Sequence, residues 1–316
     1  MSQDSGEVSW QTLRRIVQRW SGDEAELAAV SSLDGGSIST ALMIETTDGQ
    51  RAVLKLTPHR VDRSYETEAH QLRYLKTLGL PAPAVLDCHI GTLDSPDSYI
   101  LLERMPGVSL AEARKKCSEE CFDRLQEQLA EIVITLHRCT GQHYCKVEPR
   151  LPKAAERIEA VSWPAFYRSL YDEIWRECEK HAAIPTKARK LVGRIHEKLE
   201  RLLDHSDQPR LTHGDLWASN VLAREGEAGK WNVSAVIDPN CRFAHAECEL
   251  AYLDLFHTST PAFNKVYNHT FRIDDGYYAY RKHVYQLYEL VNHVNLFGDR
   301  YVKPMLAALE KVAAFV

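Results

Sequence analysis

The 316-residue sequence predicts an α+β fold in two unequal lobes, residues 1–103 and 104–316. Three observations lead there. Up to residue 103, short strand-like runs are punctuated by Gly and Asp-Gly turn signals around one long helical stretch. Glu103-Arg104-Met105-Pro106-Gly107 then breaks the pattern, because Pro-Gly after a strand ends regular structure. Beyond Gly107 the apolar residues recur mainly at helical spacing, with one strand-rich island from Leu211 to Asp238.

Taken in order, Trp10, Leu13, Val17 and Trp20 lie at helical spacing and predict an amphipathic helix before the first sheet. Gly35-Gly36 marks a turn between two strand-like runs. The second of these, Ala41 to Thr46, runs into Asp48-Gly49, a strong hairpin dipeptide, and Arg51 to Leu56 forms the next strand. A helix from about Ser64 to Leu78 buries Leu72, Leu75 and Leu78; Gly79 and Pro81 stop it. Two further strands, Ala84–His89 and Tyr99–Leu102, complete an antiparallel five-stranded sheet. In the second lobe Leu125, Leu129, Ile132, Val133 and Leu136 share one helical face, and Leu191, Ile195, Leu199 and Leu202 share another.

Composition narrows the function class. Hydrophobic residues make up 44% and charged residues 26%, an ordinary globular balance. No apolar run approaches the roughly 20 residues that span a bilayer, and Met1-Ser2-Gln3-Asp4 opens no basic and apolar leader, so a cytoplasmic protein without a membrane partner is expected. The net charge of −5 comes without any Lys/Arg-rich tract, which argues against nucleic acid as partner. The eight cysteines form no CxxC pair and are expected as free thiols. His137-x-Cys139-x3-His143-x-Cys145 could supply four zinc ligands, but its spacing fits no familiar module, and helix-end packing is the expectation.

The chemistry concentrates in His213-Gly214-Asp215-Leu216-Trp217-Ala218-Ser219-Asn220 and in Val236-Ile237-Asp238-Pro239-Asn240. Phosphoryl transfer to an alcohol needs a group that orients the hydroxyl and takes its proton, and hard oxygen ligands for magnesium. Asp215 suits the first role; Asn220 and the strand-terminal Asp238 suit the second. The spacing H-x-D-x-x-x-x-N is that of kinase catalytic loops. The bland alternative is a capped loop around a buried aspartate. Upstream, Ala52-Val53-Leu54-Lys55 resembles the strand whose lysine holds nucleotide phosphates. Glu66 and Glu68 on the next helix are both candidates to orient that lysine. Gly35, Gly36 and Ser37 form a candidate phosphate-covering loop. His213 is expected to be structural, and Trp217 either fills the core or walls the acceptor site.

At these residues the chain resembles the protein-kinase-like aminoglycoside/choline phosphotransferase superfamily. The resemblance rests on Gly35-Gly36, Lys55, the run from Glu68-Ala69 through Leu72 and Leu75 to Gly79-Leu80-Pro81-x-Pro83, His213–Asn220 and Asp238. His213-Gly-Asp-Leu-Trp217, Ile237-Asp238-Pro239, His245-Ala-Glu247-Cys-Glu249-Leu-Ala251, Tyr285-Gln-Leu-Tyr288 and Asn292-His-Val-Asn-Leu-Phe-Gly298 look like elements of the fructosamine (ketosamine) kinase family within it. The resemblance implies an ATP- and magnesium-dependent kinase acting on a sugar hydroxyl of a ketosamine, free or on a glycated protein lysine. It favours Glu68 as the partner of Lys55 and puts adenine against the backbone from Glu103 to Met105. Trp217 and Glu247 are the candidate acceptor contacts. Ser37 stands where that family often has Cys, so no thiol switch is expected there; Asn240 and the segment Gly141–Pro152 also depart from the family pattern. Competing readings are a kinase of aminoglycosides, choline-like or other amino alcohols, and a nucleotide-binding pseudokinase scaffold. The absence of D-F-G and A-P-E argues against a protein kinase, and the joint presence of Lys55, Asp215, Asn220 and Asp238 argues against the scaffold.

Overall fold

The computed structural model describes residues 8–33, 40–149, 159–160, 162–181, 183–204 and 207–316. Helix α1 (Trp10–Ser21) starts at Ser9, whose hydroxyl accepts the Thr12 N–H, and buries Leu13, Ile16 and Val17. Trp10, expected on the apolar stripe, opens the helix and is 49% exposed. Strands β1 (Leu27–Ser32), β2 (Thr40–Thr46) and β3 (Arg51–Thr57) follow, then α2 (Ser64–Thr77), β4 (Val85–His89) and β5 (Ser98–Glu103). They form the expected five-stranded sheet, ordered β1-β2-β3-β5-β4, and every pairing is antiparallel.

Strand alternation divides the sheet between two cores. Ala52, Leu54 and Leu56 of β3 face α1 in a small cluster with Leu13, Ile16 and Val17. Ile100 and Leu102 of β5 face the other way, joining Leu72 and Leu75 of α2 in a core continuous with the second lobe. Helix α2 stops where Gly79 turns to φ +74, donating to Lys76 O while Leu80 N–H reaches Leu75 O.

Past Glu103 the chain runs through Gly107 into a short strand, β6 (Val108–Ser109). Gly107 has φ +122, and a Cβ there would lie 2.4 Å from Ala223 O, so only glycine fits this crossing. Helices α3 (Leu110–Lys116) and α4 (Glu119–Arg138) lead to β7 (Tyr144–Lys146) and β8 (Glu159–Ala160), then α5 (Trp163–Cys178) and α6 (Thr186–Leu203). The predicted faces of α4 and α6 are buried, with Leu191 at the margin. The strand-rich island resolves into β9 (Arg210–Thr212) and the hairpin β10 (Val221–Glu225) and β11 (Trp231–Val236), with β12 (Arg242–Ala244) just beyond it. Helices α7 (Ala246–Leu255), α8 (Pro261–Thr270), α9 (Lys282–Phe297) and α10 (Val302–Ala313) close the lobe. No helix among the described residues is long and apolar enough to cross a membrane.

Candidate active site

The pleat of β3 decides where Lys55 points. With Leu54 and Leu56 committed to α1, Lys55 emerges on the opposite face, toward α2 and the cleft between the lobes. Its Nζ lies 2.6 Å from Glu68 Oε1 and 2.8 Å from Asp238 Oδ1. Burial works against the charge, yet the two carboxylates hold the lysine well above its usual pKa. Glu66 faces away and pairs with Arg63 at 3.2 Å.

The catalytic-loop candidates sit between β9 and β10. Gly214 has φ +79 and packs so tightly that a Cβ would meet Asn240 O at 2.1 Å. The two loops are joined where Asn240 N–H donates to His213 O at 2.8 Å. Buried Glu249, from the start of α7, accepts the backbone N–H groups of His213 and Gly214. His213 is fully buried; burial depresses its pKa to about 4, with Asp238 and the Ile237 backbone acting the other way. Inside the loop the ring accepts the Asp215 N–H at 3.4 Å.

Asp215 is held from both sides. The Tyr252 hydroxyl of α7 donates to Oδ1, and Asn220 Nδ2 donates to Oδ2 at 3.1 Å and to the Asp215 carbonyl at 2.8 Å. Burial pushes the carboxyl up to about 6, while these bonds pull it down. With its nitrogen so used, the Asn220 amide has its oxygen as the remaining polar atom. Asp238 lies just past β11 in the left-handed region at φ +58, a conformation that Asp tolerates. One oxygen meets Lys55, and the side chain keeps 40% exposure.

Asp215, Trp217, Asn220 and Asp238 therefore line one cleft cavity of about 390 Å³. Trp217 is a wall of it, not core filler. Glu103 ends β5, and Arg104 to Pro106 continue as irregular chain beside the sheet. Gly35, Gly36 and Ser37 lie outside the described residues.

One expectation changes. Glu247 does not reach the cleft: both its oxygens take 2.7 Å bonds from the Arg281 guanidinium on the far side of α7. Two helical positions separate it from Glu249, which swings it about 200° away. For the His137–Cys145 cluster, helix-end packing is the expectation over zinc. His137 Nδ1 bonds Tyr267 OH at 2.8 Å and Cys139 Sγ lies 3.1 Å from Tyr74 OH. Among the described residues no three His, Cys, Asp or Glu side chains gather as a metal site.

Sequence reasoning missed Tyr252, Arg242 and Glu289 on the cavity wall. Tyr252 follows Glu249 by three residues on α7, a helical spacing that could have flagged it. Arg242 and Glu289 carry no comparable local signal.

A small antiparallel sheet set over a helical lobe, with a lysine from the one meeting a carboxylate from the other, is the architecture of protein-kinase-like phosphotransferases. Comparison with known proteins agrees. The fructosamine kinase family profile matches residues 9–314. A probable ketoamine kinase of Vibrio parahaemolyticus is 26% identical over 313 residues, 97% of this chain and 100% of that protein. A Thermobifida fusca crystal structure provisionally named fructosamine-3-kinase superposes with a TM-score of 0.75 at 22% identity, covering 98% and 100% of the two chains. An aminoglycoside phosphotransferase in ternary complex with AMP-PNP and hygromycin B superposes at 0.66 with 17% identity, covering 96% and 97%. The chain belongs to the fructosamine kinase family. It is accordingly a kinase, a phosphotransferase with an alcohol group as acceptor.

Proposed function

We propose that this kinase works in the cytoplasm, transferring the γ-phosphate of ATP to a sugar hydroxyl of a ketosamine of the fructosamine or ribulosamine type. The acceptor is a small amine-bearing sugar or the same group on a glycated protein lysine. One observation carries the reading: Asp215 is fixed by Tyr252 and Asn220 on the wall of the cavity that Asp238, the partner of Lys55, also lines.

Each residue then has a task. Adenine hydrogen-bonds the backbone between Glu103 and Met105. The Gly35-Gly36-Ser37 loop covers the phosphates, and Lys55, oriented by Glu68, neutralises them. Asn220 and Asp238 offer a free amide oxygen and a partly exposed carboxylate, the hard donors that magnesium takes. When bound, magnesium neutralises charge on the phosphate oxygens. The acceptor oxygen attacks the γ-phosphorus, the bond to the bridging oxygen of ADP breaks, and the hydroxyl proton passes to Asp215. Positioning and charge neutralisation supply most of the acceleration.

The test is an ADP-release assay with Mg-ATP against ketosamines, aminoglycosides and amino alcohols, with Asp215→Asn as blank. Turnover confined to ketosamines supports the reading. Turnover on aminoglycosides or amino alcohols keeps the chemistry and replaces the substrate. Nucleotide binding without turnover on any of the panel points to the scaffold.

A further inference from the structure

Helix α9 lays one acidic side chain against the acceptor cavity. Glu289 borders the cleft and also a small adjoining cavity of about 30 Å³ bounded by Arg242, Glu249 and Tyr252. Among the described residues its carboxylate has no hydrogen-bond or ion-pair partner. The other carboxylates facing it are already engaged. Asp215, from the catalytic loop, is held by Tyr252 and Asn220, and Glu249, from α7, caps the His213 and Gly214 amides. Arg242, from β12, lies over the Tyr288 ring with its guanidinium carbon 5.9 Å from the centroid, and its Nε is buried without a partner. The inner wall thus holds three carboxylates against one guanidinium.

The rest of the cavity suits a cation as well. Trp217, Phe256, Phe297 and Tyr301 present aromatic surface, whose faces attract positive charge. Arg300, the cation at the mouth, is stacked over Phe297 at 4.8 Å and Tyr301 at 5.2 Å. Burial pushes the Glu289 carboxyl up to about 8, with Arg242 opposing and Asp215 and Glu249 reinforcing. An ammonium beside it would restore its charge and supply the missing donor.

We propose that Glu289 is the specificity-determining residue for the acceptor: it pairs with a protonated amine of the substrate while the reacting hydroxyl lies at Asp215. The proposal rests on the amine-bearing acceptor assigned under Proposed function and names the residue that recognises it. Glu289 touches the amine and takes no part in proton or phosphoryl transfer.

The experiment compares a ketosamine carrying a basic amine with its N-acylated counterpart, in which the same sugar has no positive charge. Steady-state kinetics on the full chain with Mg-ATP are measured for the unaltered protein, Glu289→Gln and Glu289→Asp. The unaltered protein should favour the basic acceptor by about 10- to 100-fold in kcat/KM, the range of a buried charge-assisted bond. Glu289→Gln should erase most of that preference through KM with kcat retained, and Glu289→Asp should recover part of it. A preference that survives in Glu289→Gln overturns the assignment. So does an equal loss of kcat on both acceptors, which would mark a purely structural residue. Silence of the unaltered protein on both ketosamines would instead sink the acceptor reading itself, and this proposal with it.

Discussion

Asp215 is a carboxylate tuned by its neighbours. Burial lifts its pKa to about 6, and the Tyr252 and Asn220 bonds limit the rise. The role proposed for Asp215, proton acceptor, requires the ionised form, so kcat/KM of the free enzyme should climb with pH through about 6 and level off above it. Tyr252→Phe removes a bond that favours the charged form, so the acid limb should move up by about one pH unit. A limb that stays in place would disconnect Tyr252 from the proton acceptor. Asp215→Asn should cost orders of magnitude in kcat with ATP affinity little changed. Lys55 offers a second test. Glu68→Gln takes away one of its two carboxylates, which should loosen the lysine and raise KM for ATP about 10-fold, with a smaller effect on kcat. An unchanged KM would leave the Glu68 pair without a part in nucleotide binding.

Among the elements, the junction of the β9–β10 loop with the turn after β11 is the least tolerant. Gly214 combines a left-handed backbone with a 2.1 Å approach of its would-be Cβ to Asn240 O, and the atom it meets is backbone, which cannot swing aside. Gly214→Ala should therefore lose about 2–4 kcal/mol of stability, by denaturant unfolding, and most of its turnover. Wild-type stability in that variant would show that the two loops can part without cost. Glu249 reinforces the same junction by capping two of its amides. Element geometry also settles which acid serves which site: on α2 and again on α7, two residues of separation put neighbouring glutamates on opposite sides of the helix.

For the whole molecule, the lobes are joined by more than the Lys55–Asp238 contact. Gln71 of α2 is fully buried, its amide donating to Val147 O at 2.8 Å and accepting Cys241 N–H at 3.0 Å, both in the helical lobe. The same helix carries Glu68, so this clamp fixes the acid that orients Lys55. Gln71→Ala strands a buried carbonyl and a buried amide and should destabilise the protein by about 2–4 kcal/mol. Denaturant unfolding should register that loss together with a raised KM for ATP; stability within error of the parent would show that water replaces the amide freely. The core supports this coupling, since α2, one face of the sheet and the second lobe share a single buried cluster.

The sequence by itself determined the features that depend on local spacing. Hairpin dipeptides, the Gly79 and Pro81 stop and the helical stripes gave the sheet, α2 and the lobe order, because turn geometry and amphipathic period act over a few residues. The Ala52-Val53-Leu54-Lys55 run already singled out Lys55, and the H-x-D-x-x-x-x-N spacing already singled out Asp215 and Asn220. Only the tertiary structure decided what those residues meet. Glu68 rather than Glu66 reaches Lys55 because of how α2 is turned against the sheet. Glu247 leaves the cleft because Arg281, 34 residues away, claims its carboxylate. Tyr252 reaches Asp215 from 37 residues further on, and Glu289 meets the cavity only once α9 has packed. Such contacts join distant segments, and their geometry follows from how whole elements pack, which no local spacing encodes.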